Sequence, residues 1–193
     1  MSVKRHQTGF TLIEILIAIV IFSIGLLGIA GLQVAGMRFT HGSQLRSIAV
    51  AQAETMADLM RANEFGVQAG FYNVKNAMPD DADPDCNATE CTSQQRATYD
   101  LKAWNTRTVG SPLLSNQDVL PLGAGVVCRD STPNDGVAGA WACDNLGNVY
   151  AVKLQWQERT VGGDDVGKRG GADTNIQTQR LVMSVVPGID TVP

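Results

Sequence analysis

The sequence predicts an α+β chain in which one long N-terminal helix packs on a small C-terminal antiparallel β-sheet. Three observations predict it. Residues 10–32 are almost continuously apolar, Leu45, Ala49, Ala53, Met56 and Met60 recur at steps of four and three, and residues 148–158 and 180–186 alternate with a period of two. The first pattern suits a helix in an apolar medium, the second an amphipathic helix, and the third half-buried strands.

The apolar run from Phe10 to Leu32 holds one ionisable side chain, Glu14, and follows the basic residues Lys4, Arg5 and His6. At about 1.5 Å per residue, its roughly 23 residues cross a ~30 Å hydrocarbon layer, and the basic residues keep its start on the cytoplasmic side. A secretory signal peptide has a shorter apolar region, about 7–15 residues, ending at small residues that this stretch lacks. A plain single-span anchor suits the length but leaves Glu14 unexplained. An acidic side chain at the centre of a spanning helix costs roughly 2.5–3.5 kcal/mol, and less near its start.

The helical pattern continues past the apolar run, and no proline interrupts residues 10–63. A continuous helix of about 54 residues is expected, roughly 80 Å long, with its second half packed on the globular part. Gly25, Gly28, Gly31, Gly36 and Gly42 each lower helix propensity by up to ~1 kcal/mol relative to alanine. The middle of the helix is therefore expected to be its softest part, unless these glycines serve close packing between helices.

Residues 64–95 read as a connecting region with little periodicity, containing Pro79, Pro84 and the acidic cluster Asp80, Asp81, Asp83 and Asp85. That spacing does not match a calcium-binding EF-hand loop, so a solvated loop is expected. Ala97, Leu101 and Trp104 predict a short helix over Thr92–Thr106, with Ser93 as its cap. Residues 120–129 read as a turn and a strand, residues 138–143 as a weaker strand, and residues 148–158 as a strand with Tyr150, Val152, Leu154 and Trp156 on one face. Arg180–Val186 supplies the last strand, reached through the glycine-rich, charged loop 160–175, which cannot pack a core of its own.

At 193 residues and 20.6 kDa, the chain has room for one modest core beyond the apolar segment. The net charge of −4 falls by two more if the leader bearing Lys4 and Arg5 is removed, which argues against nucleic-acid binding. Cys86, Cys91, Cys128 and Cys143 all follow the apolar segment, so export places them in an oxidising compartment where disulfides form. Closing short loops costs least entropy, which favours Cys86 with Cys91 and Cys128 with Cys143. A metal site is the rival reading, but no C-x-x-C pair occurs and only His41 follows the leader. No G-x-S-x-G, H-E-x-x-H or phosphate-binding loop occurs either. No enzymatic activity, catalytic residue, metal or cofactor is expected.

The string GFTLIEILIAIVIFSIGLLG, residues 9–28, resembles the class III leader of type IV pilins and of the pseudopilins of type II secretion. The resemblance implies that a membrane-embedded prepilin peptidase cuts after Gly9 and N-methylates the new terminus, Phe10. It also implies that Glu14 engages the terminal amine of a neighbouring subunit during assembly. The implied fold is type IV pilin-like, with a cleaved leader at 1–9, the membrane and fibre-core half of the helix at 10–36, and a globular domain at 37–193. Before assembly the chain would sit in the bacterial inner membrane with its C-terminal domain in the periplasm. Afterwards it would sit in the pilus.

Downstream, CTSQQRATYDLKAWN at 91–105, LPLGAGVVC at 120–128, VKLQWQE at 152–158 and MRAN at 60–63 look like the PilV family of minor pilins. That likeness implies a part in initiating pilus assembly within a tip complex. Its partners would be other minor pilins, the major pilin, the assembly machinery and a tip adhesin. A type II secretion pseudopilin and a DNA-uptake pilus subunit are the alternatives, the latter disfavoured by the acidic balance.

Overall fold

Helix α1 spans Leu12–Ala62 and passes through Gly25, Gly28, Gly31, Gly36 and Gly42 without a break. The structure, a computed structural model, describes residues 9–74, 85–106, 111–137, 139–159 and 176–186. The loop expected at 160–175, Asp80, Asp81 and Asp83 of the acidic cluster, and most of the leader lie outside these residues. Contacts divide the chain into two compact units, one ending at Thr40 and one beginning at His41. In the first, every described residue but Ala35 is exposed, as suits a helix whose apolar surface awaits lipid or other helices.

In the second unit α1 buries Leu45, Ala49, Ala53, Met56, Ala57 and Met60, the stripe that the i, i+3, i+4 spacing marks. Asn63 ends this segment: its side chain accepts the Gly66 N–H at 3.3 Å and so caps α2, Glu64–Gln68. Helix α3, Ser93–Asn105, is capped by Thr92 rather than the expected Ser93. Thr92 accepts the Gln95 N–H while the Gln95 side chain accepts the Thr92 N–H, a reciprocal capping box that Ser93 would place out of step. A short helix α4 follows at Asn116–Val119.

The sheet is antiparallel with order β1-β2-β3, formed by Ala124–Arg129, Tyr150–Arg159 and Ile176–Val185. Val127 stands opposite Val152, and Leu154 opposite Leu181. Strand β3 begins at Ile176, four residues before the expected Arg180, because pairing with β2 carries through Gln177, Thr178 and Gln179 where the apolar alternation has faded. Of the strand expected at 138–143, the described residues 139–143 form none. Val137 and Ala140 make an isolated bridge around Gly139 at φ +78°, and Ala142 also takes positive φ, so the backbone bends here instead of extending.

The main core lies between α1, α3 and the Tyr150, Val152, Leu154 and Trp156 face of β2. Burying each large side chain contributes roughly 1.5–3 kcal/mol. Trp104 is fully buried at its centre, and its Nε1 donates to the Gln52 carbonyl of α1 at 2.8 Å. Gly125 is required beneath that ring, since a β-carbon there would come within 2.7 Å of Trp104 Cζ3. Along the outer edge of β1, Gly125 N donates to Asn105 Oδ1 at 2.6 Å and Arg129 N to Asn73 Oδ1 at 2.8 Å. The Val127 carbonyl accepts from Val74 N at 2.8 Å.

Candidate functional site

The start of α1 gathers the residues that the leader singles out. The Thr11 carbonyl accepts the N–H groups of Glu14 at 3.1 Å and Ile15 at 3.4 Å, which sets the first turn. Glu14 lies in that turn, where the positive end of the helix dipole favours a carboxylate by typically 0.3–1 kcal/mol. Helix energetics alone therefore account for a modest preference for an acid here. Phe10 is 80% exposed, and Phe10, Glu14, Ile15, Ala18, Ile19 and Phe22 line one open groove of about 560 Å³. Their spacing places them on a single helical face.

Glu14 is the only ionisable residue from Phe10 to Met37. In an apolar packing an amine brought to its carboxylate is attracted far more strongly than in water, and desolvation offsets part of that gain. Such a pair selects register more than it adds stability. Gly9 directly precedes Phe10 and is exposed, with open space around its Cα. By length and composition, α1 suffices to cross a membrane.

In the head, disulfides join Cys86 to Cys91 and Cys128 to Cys143. The second ties the end of β1 to the turn-rich segment 130–147. Asp130 lies beside it, but with both sulfurs bonded to each other and Asp130 held by Lys153, these residues offer no free donor set to a metal.

Lys153 is the feature that sequence reasoning missed. Its alternation with Tyr150, Val152, Leu154 and Trp156 marks a polar face for β2, yet Lys153 is fully buried there, as is Ala151. Its Nζ donates to Asp130, to Asp135 at 3.3 Å and to the Trp141 carbonyl at 2.7 Å. Arg180 of β3 donates to the Gly136 carbonyl and, at 2.8 Å, to that of Asp135. These bonds lay segment 130–147 over the second face of the sheet. Hydrogen bonding from Thr132, with Lys153 adding to it, lowers the Asp135 pKa below the usual carboxylate value.

A second polar knot lies between α1, α2 and α3. Tyr72 Oη donates to Asp100 Oδ2 at 2.7 Å, and Arg96 Nε stands 3.0 Å from Asp100 Oδ1. Burial raises the pKa of both Tyr72 and Asp100, and for Asp100 the Tyr72 hydrogen bond and Arg96 only partly reverse it. A carboxyl with a raised folded pKa binds its proton more readily in the folded state than in the unfolded one. Acidification through that range then strengthens the fold, and the gain is complete below the unfolded value near 3.8. Asp100→Asn cannot titrate, so the stability of the wild type relative to this variant is expected to rise as pH falls from neutrality toward ~4. Urea unfolding of both chains at stepped pH checks this, and a relative loss on acidification would contradict it.

The histidine noted in the sequence, His41, lines an open cleft of about 280 Å³ with Pro121, Gln157, Glu158 and Ile176.

An apolar helix long enough to cross a membrane follows Gly9-Phe10, and the chain goes on to a small α+β unit. Residues 4–30 match the prokaryotic N-terminal methylation motif, and residues 31–102 match the family of type IV pilin Tt1218. The two matches run consecutively, and together with the fold they support a type IV pilin, a class of structural subunit rather than of enzyme. No curated protein and no solved structure matches the chain. A type IV pilin assembles with other pilins after prepilin peptidase acts on its leader, and the apolar helix fits anchoring in the bacterial inner membrane and incorporation into a pilus.

Proposed function

We propose that this chain is a minor pilin of the PilV kind, which helps to initiate type IV pilus assembly in a tip complex with other minor pilins and the major pilin. The carrying observation is the exposed apolar face of α1 with Glu14 as its one charge, directly behind Gly9-Phe10. On this reading residues 1–9 are cleaved, Phe10 is N-methylated, residues 10–36 enter the membrane and then the fibre core, and residues 37–193 form the exposed domain. Glu14 takes the terminal amine of a neighbour. The head faces the periplasm before assembly and selects its partners, a tip adhesin among them. The motifs at 60–63, 91–105, 120–128 and 152–158 support the minor-pilin role.

Deleting the gene is expected to abolish surface pili and leave type II exports untouched. Sheared-fibre immunoblots and secretion profiles read the two effects. Intact pili with blocked secretion would instead identify a pseudopilin, which shares the leader.

A further inference from the structure

The knot around Lys153 has the parts of a condensation reaction. Lys153 and Asp130 are each 0% exposed, with Nζ on Asp130 Oδ2. The Thr132 N–H donates to Asp130 Oδ1 at 3.0 Å and fixes the carboxyl group in place. A buried ion pair gives up the hydration of both its ions. Moving one proton from the ammonium to the carboxylate removes both charges and leaves an amine facing a carboxylic acid. A second carboxylate, Asp135, reaches the same nitrogen from the solvent side at 3.3 Å and is 44% exposed.

We propose that Lys153 and Asp130 are joined by an intramolecular isopeptide bond, formed with Asp135 as the catalytic proton carrier. The Nζ lone pair attacks Cγ of protonated Asp130 and the N–C bond forms. Asp135 takes a proton from Nζ and passes it to a hydroxyl on Cγ, which departs as water with the C–O electron pair. Amine and acid become amide and water, with no change of oxidation state and no co-reactant. The amide keeps one N–H, and the Trp141 carbonyl 2.7 Å from Nζ is its acceptor. Holding both reactants in contact replaces a bimolecular step with a unimolecular one, and proton transfer by a positioned carboxylate is ordinary general acid–base catalysis. The bond would close residues 130–153 into a ring that interlocks with the Cys128–Cys143 disulfide.

Intact mass of the full native chain after reduction, followed by tryptic mapping, tests this. The sequence has no lysine or arginine between Arg129 and Lys153. The expected results are a mass lower by one water, located within residues 130–159, and loss of tryptic cleavage after Lys153. Asp135→Ala, at a partly exposed site, is expected to restore both the full mass and the cleavage while circular dichroism shows a folded chain. Asp130→Asn, condensing with loss of ammonia, is expected to give the same product mass as the wild type. Full mass with cleavage after Lys153 in the wild type would overturn the bond, and a deficit retained in Asp135→Ala would overturn the role of Asp135.

Discussion

Glu14→Ala is expected to be cleaved and methylated normally but to be depleted from fibres about tenfold or more. The substitution removes the only ionisable side chain between Phe10 and Met37 and leaves Gly9 and Phe10 in place. The geometry that presents Gly9-Phe10 depends on the Thr11 carbonyl and the first-turn N–H groups, which alanine keeps. A unit charge pair at about 4 Å is worth ~4 kcal/mol at an effective dielectric of 20, and desolvation removes part of this. A remainder of only about 1.4 kcal/mol per subunit contact already gives the tenfold loss. Glu14→Gln, which keeps the shape without the charge, is expected to behave like alanine. Immunoblots of membrane and sheared-fibre fractions measure the ratio, and N-terminal mass spectrometry measures processing. Normal fibre levels of either variant would remove the proposed contact.

Trp104→Ala is expected to cost the head about 3–5 kcal/mol, the range for deleting a fully buried aromatic side chain. The indole fills the space between α1 and β1, so its loss opens a cavity rather than a dent. It also strips the Gln52 carbonyl of the donor at 2.8 Å. Gly125 lies flat beneath the ring and has no side chain to move into the gap. Since domains of this size hold roughly 5–15 kcal/mol in total, the change removes a large share of stability. Urea unfolding followed by circular dichroism measures it, and a loss below ~1 kcal/mol would contradict the packing described.

The fold was legible where one periodicity spoke for one environment. Leu45, Ala49, Ala53, Met56 and Met60 announced the buried stripe of α1, and Tyr150, Val152, Leu154 and Trp156 announced the core face of β2. What stayed hidden was decided by contacts far apart in the chain. Lys153 occupies the strand position of a solvent-facing residue, and its burial depends on Asp130, Asp135 and Trp141, which lie in a segment with no repeating pattern. The same segment read as a strand at 138–143 because AGAWAC is apolar, whereas the positive-φ positions at Gly139 and Ala142 turn it back toward the disulfide. The cap of α3 is Thr92 rather than Ser93 because Gln95 stands three positions on from Thr92 and completes the reciprocal box, a partner that the cap residue alone does not reveal. Among the site residues, Asp100 gave no signal: a charged residue in a helix reads as solvated until Tyr72 is seen to cover it.

The trim of β1 by Asn73, Val74 and Asn105 has a consequence for crowded subunits. A bare strand margin invites a second copy to zip alongside it, and a membrane loaded with waiting subunits is where such accidental ribbons would start. With that margin already stitched to its own chain, heads that collide on this side have no ladder to extend.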